Sequence, residues 1–299
     1  MAVAAPALGA PESGIARLGI WQDTWRRFRR STSAMIGTIL VAVLLIAAIA
    51  APVLSGHVDP LAQNLGATTL PPSVHHLAGT DKLGRDIFVR MLSGARLSLL
   101  IGFVSVGIAL VTGTTLGVVS GFWGGAVDSI IMAAVDVMLA FPSIILAIAI
   151  SAILDQRVGD VVKLFFAVGI VGIPVYARIA RASVLQVKQL EYVEAARAIG
   201  NAVPAILVRY VLPNILAPLV VQATLGVGTA ELDSAGLSFL GLGIQPPTAE
   251  WGSMLNDARD YWLNAPWALV FPGVAISLTV LGFNLLGDGL RDALDPRSA

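Results

Sequence analysis

Long runs without charge, rather than any alternation of apolar and polar positions, organise this chain. Apolar stretches at about 34–55, 97–119, 129–153, 161–180, 211–231 and 266–287 are each long enough to cross a bilayer. About 20 residues rising ~1.5 Å each span a hydrocarbon core of ~30 Å. The second lies in a charge-free stretch from Leu97 to Val127, and the third is interrupted only by Asp136. The fourth is the weakest, with Lys163 near its start and Pro174 inside it. A seventh apolar stretch, SAGLSFLGLGIQPP at 234–247, is short and rich in Gly and Pro. It cannot satisfy its own backbone as a crossing helix, so it reads as a loop or re-entrant segment shielded by protein. Pro142, Pro174 and Pro272 lie in or near spans and predict kinks whose lost hydrogen bonds neighbouring helices repair.

Composition fixes the solvent. Of 299 residues, 56% are hydrophobic and 13% charged, with a mean hydropathy of +0.82. A soluble domain is about a quarter charged, so this chain has too few charges to clothe a water-facing surface, and its surplus apolar residues face lipid. The net charge is zero, from 19 basic and 19 acidic residues, with no basic field for nucleic acid. Without cysteine there is neither disulfide nor thiolate metal site. His57, His75 and His76 share one polar loop. Neighbouring side chains rarely converge on one ion, so the loop reads as solvated and no metal site is expected. No GxxxxGK[ST] phosphate loop and no nucleophile–base constellation occurs, so the chain is expected to be neither an ATPase nor another enzyme.

Residues 1–14 lack the basic start of a secretory leader, so the first apolar run is expected to stay as an anchor. Six crossings put both termini on one side. That side holds twelve of the 19 Lys and Arg, against seven opposite, so both termini are expected in the cytoplasm. Ahead of the first span, Trp21, Trp25 and Phe28 recur at helical spacing among Arg26, Arg27, Arg29 and Arg30. That pattern predicts a helix lying in the headgroup layer over 15–30. Without an internal repeat the chain divides simply: a cytoplasmic segment at 1–33, a transmembrane domain at 34–290 and a cytoplasmic tail at 291–299.

Four sets of polar positions invite a functional reading. The longest inner loop, 181–210, is wet yet helix-forming, with an apolar stripe at Leu185, Val187, Leu190, Val193, Ala196 and Ile199. Gly200 stops that helix, a second short helix starts near Val203, and Pro213 opens the fifth span. Such a helix–turn–helix suits a groove on another protein, although periodicity alone leaves a plain linker equally open. Asp81, Arg85, Asp86 and Arg90 alternate in sign before the second span, with Asp86 and Arg90 at i,i+4 spacing. They read as a paired, loop-ordering network, or else as a docking surface. Asp136 lies inside a span, where an acid must face protein or water. It lines a pathway, or pairs with a polar residue such as Asn284 or across a subunit interface. Glu231 and Asp233 read as an exposed rim at the outer end of the fifth span.

Glu194-Ala195-Ala196, Gly200 and Leu212-Pro213 match the EAA loop of ABC-importer permeases, with Tyr210 where isoleucine is usual. The resemblance covers most of the chain. GTDKLGRDIFVRMLSGARLSLLIG at 79–102, GLSFLGLGIQPPTAEWGSML at 236–255 and NLLGDGLRDALDPR at 284–297 resemble the C-type permeases of dipeptide, oligopeptide and nickel importers. The resemblance implies an all-α membrane protein of the type I importer kind, with six transmembrane helices and a cytoplasmic coupling helix carrying Glu194, Ala195, Ala196 and Gly200. It implies a bacterial cell-membrane complex with a B-type permease as heterodimer, two ATPase subunits that use ATP and Mg, and an extracytoplasmic binding protein. No cofactor would be bound by this chain. The cargo would be a dipeptide or oligopeptide, with nickel or another small solute as the alternative, and Asp136 would be placed to meet a peptide amine. A secondary transporter is disfavoured by the lone intramembrane acid and absent repeat, and a channel by the lack of a charge ring or filter.

Overall fold

A computed structural model describes residues 20–154 and 158–294. The leader expectation at 1–14, the start of the first amphipathic segment and the end of the tail lie outside the described residues. The helices are α1 Ile20–Arg30, α2 Thr32–Ile49, α3 Ala51–Leu54, α4 Ile87–Trp123, α5 Gly125–Leu139, α6 Ser143–Ile153 and α7 Asp160–Val187, followed by α8 Glu191–Ala198, α9 Val203–Ile206, α10 Leu212–Phe239, α11 Trp251–Ala258 and α12 Trp267–Leu294. Among the described residues the only β pairing is an isolated bridge between Thr80 and Asp86.

Five of these helical segments are long and apolar enough to cross a membrane, and α5 with α6 forms a pair bent by 100°. Packing decides whether that pair crosses. Gly113, Gly117 and Gly121 of α4 lie against the backbones of Ile173, Ala177 and Arg181 of α7. A Cβ on Gly113 would sit 2.6 Å from the Ile173 carbonyl oxygen, and one on Gly121 3.0 Å from that of Arg181. Residue numbers rise together on the two helices, so α4 and α7 run parallel, and the chain between them has to recross the bundle. The α5–α6 pair is therefore one broken crossing, and the total is six. By contrast α10 and α12 run antiparallel, with Gly228 on Val280 and Gly287 on Leu225. So do α2 and α12, with Ala34 on Gly289 and Val41 on Gly282. The start of α2, helix α8 and the end of α12 consequently share one end of the bundle. The loops at 50–86 and 240–266 share the other.

The helices correct the span boundaries read from hydropathy. The second begins at Ile87, ten residues before the expected start, because its early charges are satisfied within the protein. Arg96, for instance, donates from Nε and Nη2 to the Ala48 and Ile49 carbonyls, both at 2.6 Å, closing the end of α2. The third is not continuous. Pro142 lacks an N–H and disfavours helical backbone before it, so α5 ends at Leu139 and α6 restarts at Ser143. The fourth runs on to Val187, taking Leu185 and Val187 out of the loop helix. The fifth runs to Phe239, absorbing the first part of the stretch predicted as a loop. The sixth runs to Leu294, past the expected end at 287.

Helix α7 is the most enclosed crossing, with Leu164, Ala167, Ala177, Ala180 and Val184 fully buried, whereas α2 turns Ile39, Val43 and Ile46 outward. Helix α1 forms as expected, but Phe28 does not face headgroups. It is buried with Ala34 and Ala293, because α12 extends far enough to receive it. Trp25 stacks on its ring at 5.8 Å.

Candidate functional site

The loop region at 181–210 is two short elements braced on the ends of α4 and α7. After α7 ends, Lys188 reaches back and donates from Nζ to the Gly121 carbonyl at 2.7 Å. That places a cation at a helix C-terminus, where the dipole favours it. Helix α8 buries Val193 and Ala196 and turns Glu194 and Ala195 outward. The Arg197 guanidinium lies over the Phe122 ring at 5.5 Å. Gly200 has φ +84°. Its N–H donates to the Arg197 carbonyl at 3.1 Å, and that of Asn201 to the Ala196 carbonyl at 3.2 Å. These are the two bonds of a Schellman helix end, which wants glycine at the left-handed position. Among the described residues nothing lies within 4 Å of a Cβ built at Gly200, so within this chain the glycine serves the turn.

Leu212 and Pro213 belong to a different element. A π-helical segment, Leu207–Val211, leads into α10, with the Leu212 N–H donating to the Leu207 carbonyl. Asn214 Nδ2 donates to the Tyr210 carbonyl at 2.6 Å. Tyr210 faces Tyr192 of α8 at 6.4 Å between ring centroids, linking the two halves of the motif.

Asp136 does not pair with Asn284. Helix α5 lies beside α7, and Arg178 Nη2 donates to Asp136 Oδ1 at 2.6 Å, with both side chains more than half exposed. Asn284 is exposed on α12. Toward the α8 end, Arg181 holds Asp128 in a two-pronged pair, from Nε and Nη2 at 2.6 Å each. Ser120 also donates to Asp128. Sequence reading missed this pair. Its signal was Asp128 and Asp136 eight apart on α5, opposite Arg178 and Arg181 on α7.

At the far end, the expected network forms with a different wiring. Arg85 Nε donates to Asp81 Oδ2 at 2.6 Å, and Arg85 Nη2 to Asp257 Oδ2 at 3.2 Å. Arg90 stands within 4.0 Å of the same two acids. Asp81, Arg85 and Arg90 are buried. The predicted Asp86–Arg90 pair does not form. Asp86 instead caps α4, its Oδ1 accepting from the Val89 N–H at 3.1 Å, and Oδ2 lies 2.8 Å from His76 Nδ1. Burial pushes the phenol of neighbouring Tyr261 up to about 12. Asp257 went unnoticed because no spacing rule reaches across 172 residues. Replacing Asp86 by Ala removes the cap and the His76 contact. The expected cost is about 1 kcal/mol, read as a lower melting temperature in detergent, with His76→Ala costing less.

Glu231 and Asp233 are not a rim. Glu231 is fully buried, with neither carboxylate oxygen hydrogen-bonded, and Asp233 is partly buried. Helix α10 continues past them, and the 240–258 segment folds back over its end. Within that segment Glu250 is also buried and caps α11, accepting from the N–H groups of Gly252 at 2.8 Å and Ser253 at 2.7 Å. Trp251 donates from Nε1 to the Met91 carbonyl at 3.1 Å, fastening α11 to α4. The blocks 79–102 and 236–255, distant in sequence, thus meet in space.

Comparison with known proteins identifies this architecture. Residues 113–299 match the family model described as binding-protein-dependent transport system inner membrane component. The chain belongs to that family. Residues 19–72 of the permease also match the N-terminal TM domain of oligopeptide transport permease C. The permease is 45% identical over 288 residues to the dipeptide transport system permease protein DppC of Alkalihalophilus pseudofirmus, covering 96% of this chain and 93% of that one. It is 46% identical over 277 residues to the glutathione transport system permease protein GsiD of Escherichia coli, covering 93% and 90%. Its fold is shared with a chain of the inward-facing MetNI methionine ABC transporter at a TM-score of 0.58 and 22% identity, covering 69% of the permease and 97% of that chain. An amino acid ABC transporter gives 0.53 at 16% identity, covering 69% and 94%. The permease is thus a multi-pass ABC-importer subunit with a type I importer fold, and its relatives are transport permeases.

Proposed function

We propose that the permease forms half of a peptide pathway and that α8 is its coupling helix. In this reading a second, B-type permease completes the pathway, two ATPase subunits bind ATP and Mg, and an extracytoplasmic protein delivers a dipeptide or oligopeptide. Both termini and α8 face the cytoplasm of a bacterial cell, in line with the excess of Arg and Lys at that end of the bundle. The observation that carries the reading is the build of α8. It is a short helix closed by a Schellman turn and braced on α4, with Glu194 and Ala195 presented outward. A projecting, rigid helix suits a groove, and a displacement there biases a two-state bundle. Peptide cargo draws support from the names of the relatives, which include dipeptide and glutathione systems.

Purification of the tagged permease in mild detergent is expected to bring down a second permease and ATPase subunits. In Gly200→Val the left-handed position strains the helix end by about 1–2 kcal/mol. ATPase recovery should then fall about tenfold while recovery of the second permease holds. Gly200→Asn, which tolerates this backbone better, should lose less. Recovery of the wild-type permease alone would defeat the assembly.

A further inference from the structure

Helix α10 carries Gln222, Thr229 and Asp233 at spacings of seven and four, which places them on one face. That face lines a cavity of about 210 Å³ at the elbow between α5 and α6. Ser105 of α4, Tyr176 of α7 and Ser143 of α6 complete its polar lining. The lining holds no Lys, Arg or His. Ser105 Oγ is buried without a hydrogen-bond partner. Tyr176 is committed, donating from its hydroxyl to the Gln222 carbonyl at 3.4 Å. Asp233 has no hydrogen bond and no counter-ion among the described residues.

An acid on a crossing helix ordinarily pairs within the bundle, as Asp136 does with Arg178. Asp233 stands instead beside an open cavity with an orphaned hydroxyl opposite. We propose that this cavity is a subsite for a cationic group on the passing solute, a primary ammonium such as a peptide amino terminus. This deepens the importer reading given above and rests on it. An ammonium brings three donors and no acceptor. The Asp233 carboxylate, the Gln222 side-chain carbonyl and the Thr229 and Ser105 hydroxyls all accept. The carboxylate supplies a charge-assisted bond, the strongest of the set, and apolar walls from α4 and α7 limit competition from water. The same chemistry has a second source, a Lys or Arg of the second permease.

Because the chain has no native cysteine, Thr229→Cys gives this subunit a single thiol in the cavity. In the assembled transporter, a cationic ethylammonium thiosulfonate should modify it about tenfold faster than the anionic ethylsulfonate analogue, each rate normalised to a free thiol. Asp233→Asn should erase that preference and Asp233→Glu should keep it. In proteoliposomes with saturating binding protein, Asp233→Asn should slow dialanine uptake about tenfold, with complex yield and basal ATP hydrolysis unchanged. Equal modification by the two reagents would overturn the subsite. So would a fall in complex yield on Asp233→Asn, since that places the counter-charge on the second permease. If wild-type complexes fail to take up dialanine while the reagent preference holds, the peptide cargo fails and the subsite stands.

Discussion

Gly117→Leu is expected to leave almost no folded permease in the membrane, while Gly107→Ala leaves it near wild type. A Cβ at Gly117 would fall on the Ala177 carbonyl oxygen, 2.7 Å from Ala180 Cβ and 2.9 Å from the Arg181 nitrogen. Two of those atoms are helix backbone and cannot rotate away, so the helices must separate along the whole seam. Ordinary overpacking costs about 1–3 kcal/mol. Loss of the neighbouring Gly113 and Gly121 contacts should carry this variant beyond that range, because close backbone packing is a main attraction between helices in lipid. At Gly107 nothing among the described residues lies within 4 Å of the added Cβ. Membrane yield and size-exclusion profiles after heating would separate the two variants. Equal behaviour would mean that the seam does not hold the fold.

The second large effect is expected at Asp81. Its Oδ1 accepts from the Leu83 and Arg85 N–H groups at 2.9 and 3.0 Å, and Oδ2 accepts from Arg85 Nε at 2.6 Å. Asp81→Ala leaves two buried guanidiniums facing Asp257 alone. Breaking a buried pair by removing one partner costs about 3–5 kcal/mol, so thermal denaturation should show a large loss that added salt does not reproduce. Asp81→Leu combined with Arg85→Met should recover part of it, because one of the two stranded charges goes too. If the single and double variants melt alike, the network contributes little.

Much of this was legible from hydropathy alone. Long apolar runs locate all six crossings, even where Asp136 or Lys163 interrupts them, because lipid demands them whatever the tertiary structure. Their ends were not legible, since a charge such as Arg96 ends a hydropathy run yet sits within α4, satisfied by the end of α2. The loop helix was visible as a stripe, but its first two members belong to α7, because periodicity does not mark the break at 188–190. Gly200 was readable as a helix stop, and its positive φ agrees. The polar sites were least legible. Asp257, Glu250 and the partner of Asp136 depend on which helices are neighbours, and that depends on α4 and α7 running parallel. The glycines at 113, 117 and 121 were in plain view as a small-residue row marking a close-packing face of α4, but not which helix it meets or in which direction.

That seam also has a mechanical meaning. Two helices whose backbones touch along three turns resist bending as a single beam, much stiffer than either rod alone. The beam is anchored at one end by Lys188 on Gly121, directly beside α8. In the coupling reading proposed above, a push delivered at α8 would tilt the two helices together rather than bend either one. The breaks in helical continuity lie elsewhere, at the α5–α6 elbow and in the π-helical turn before α10.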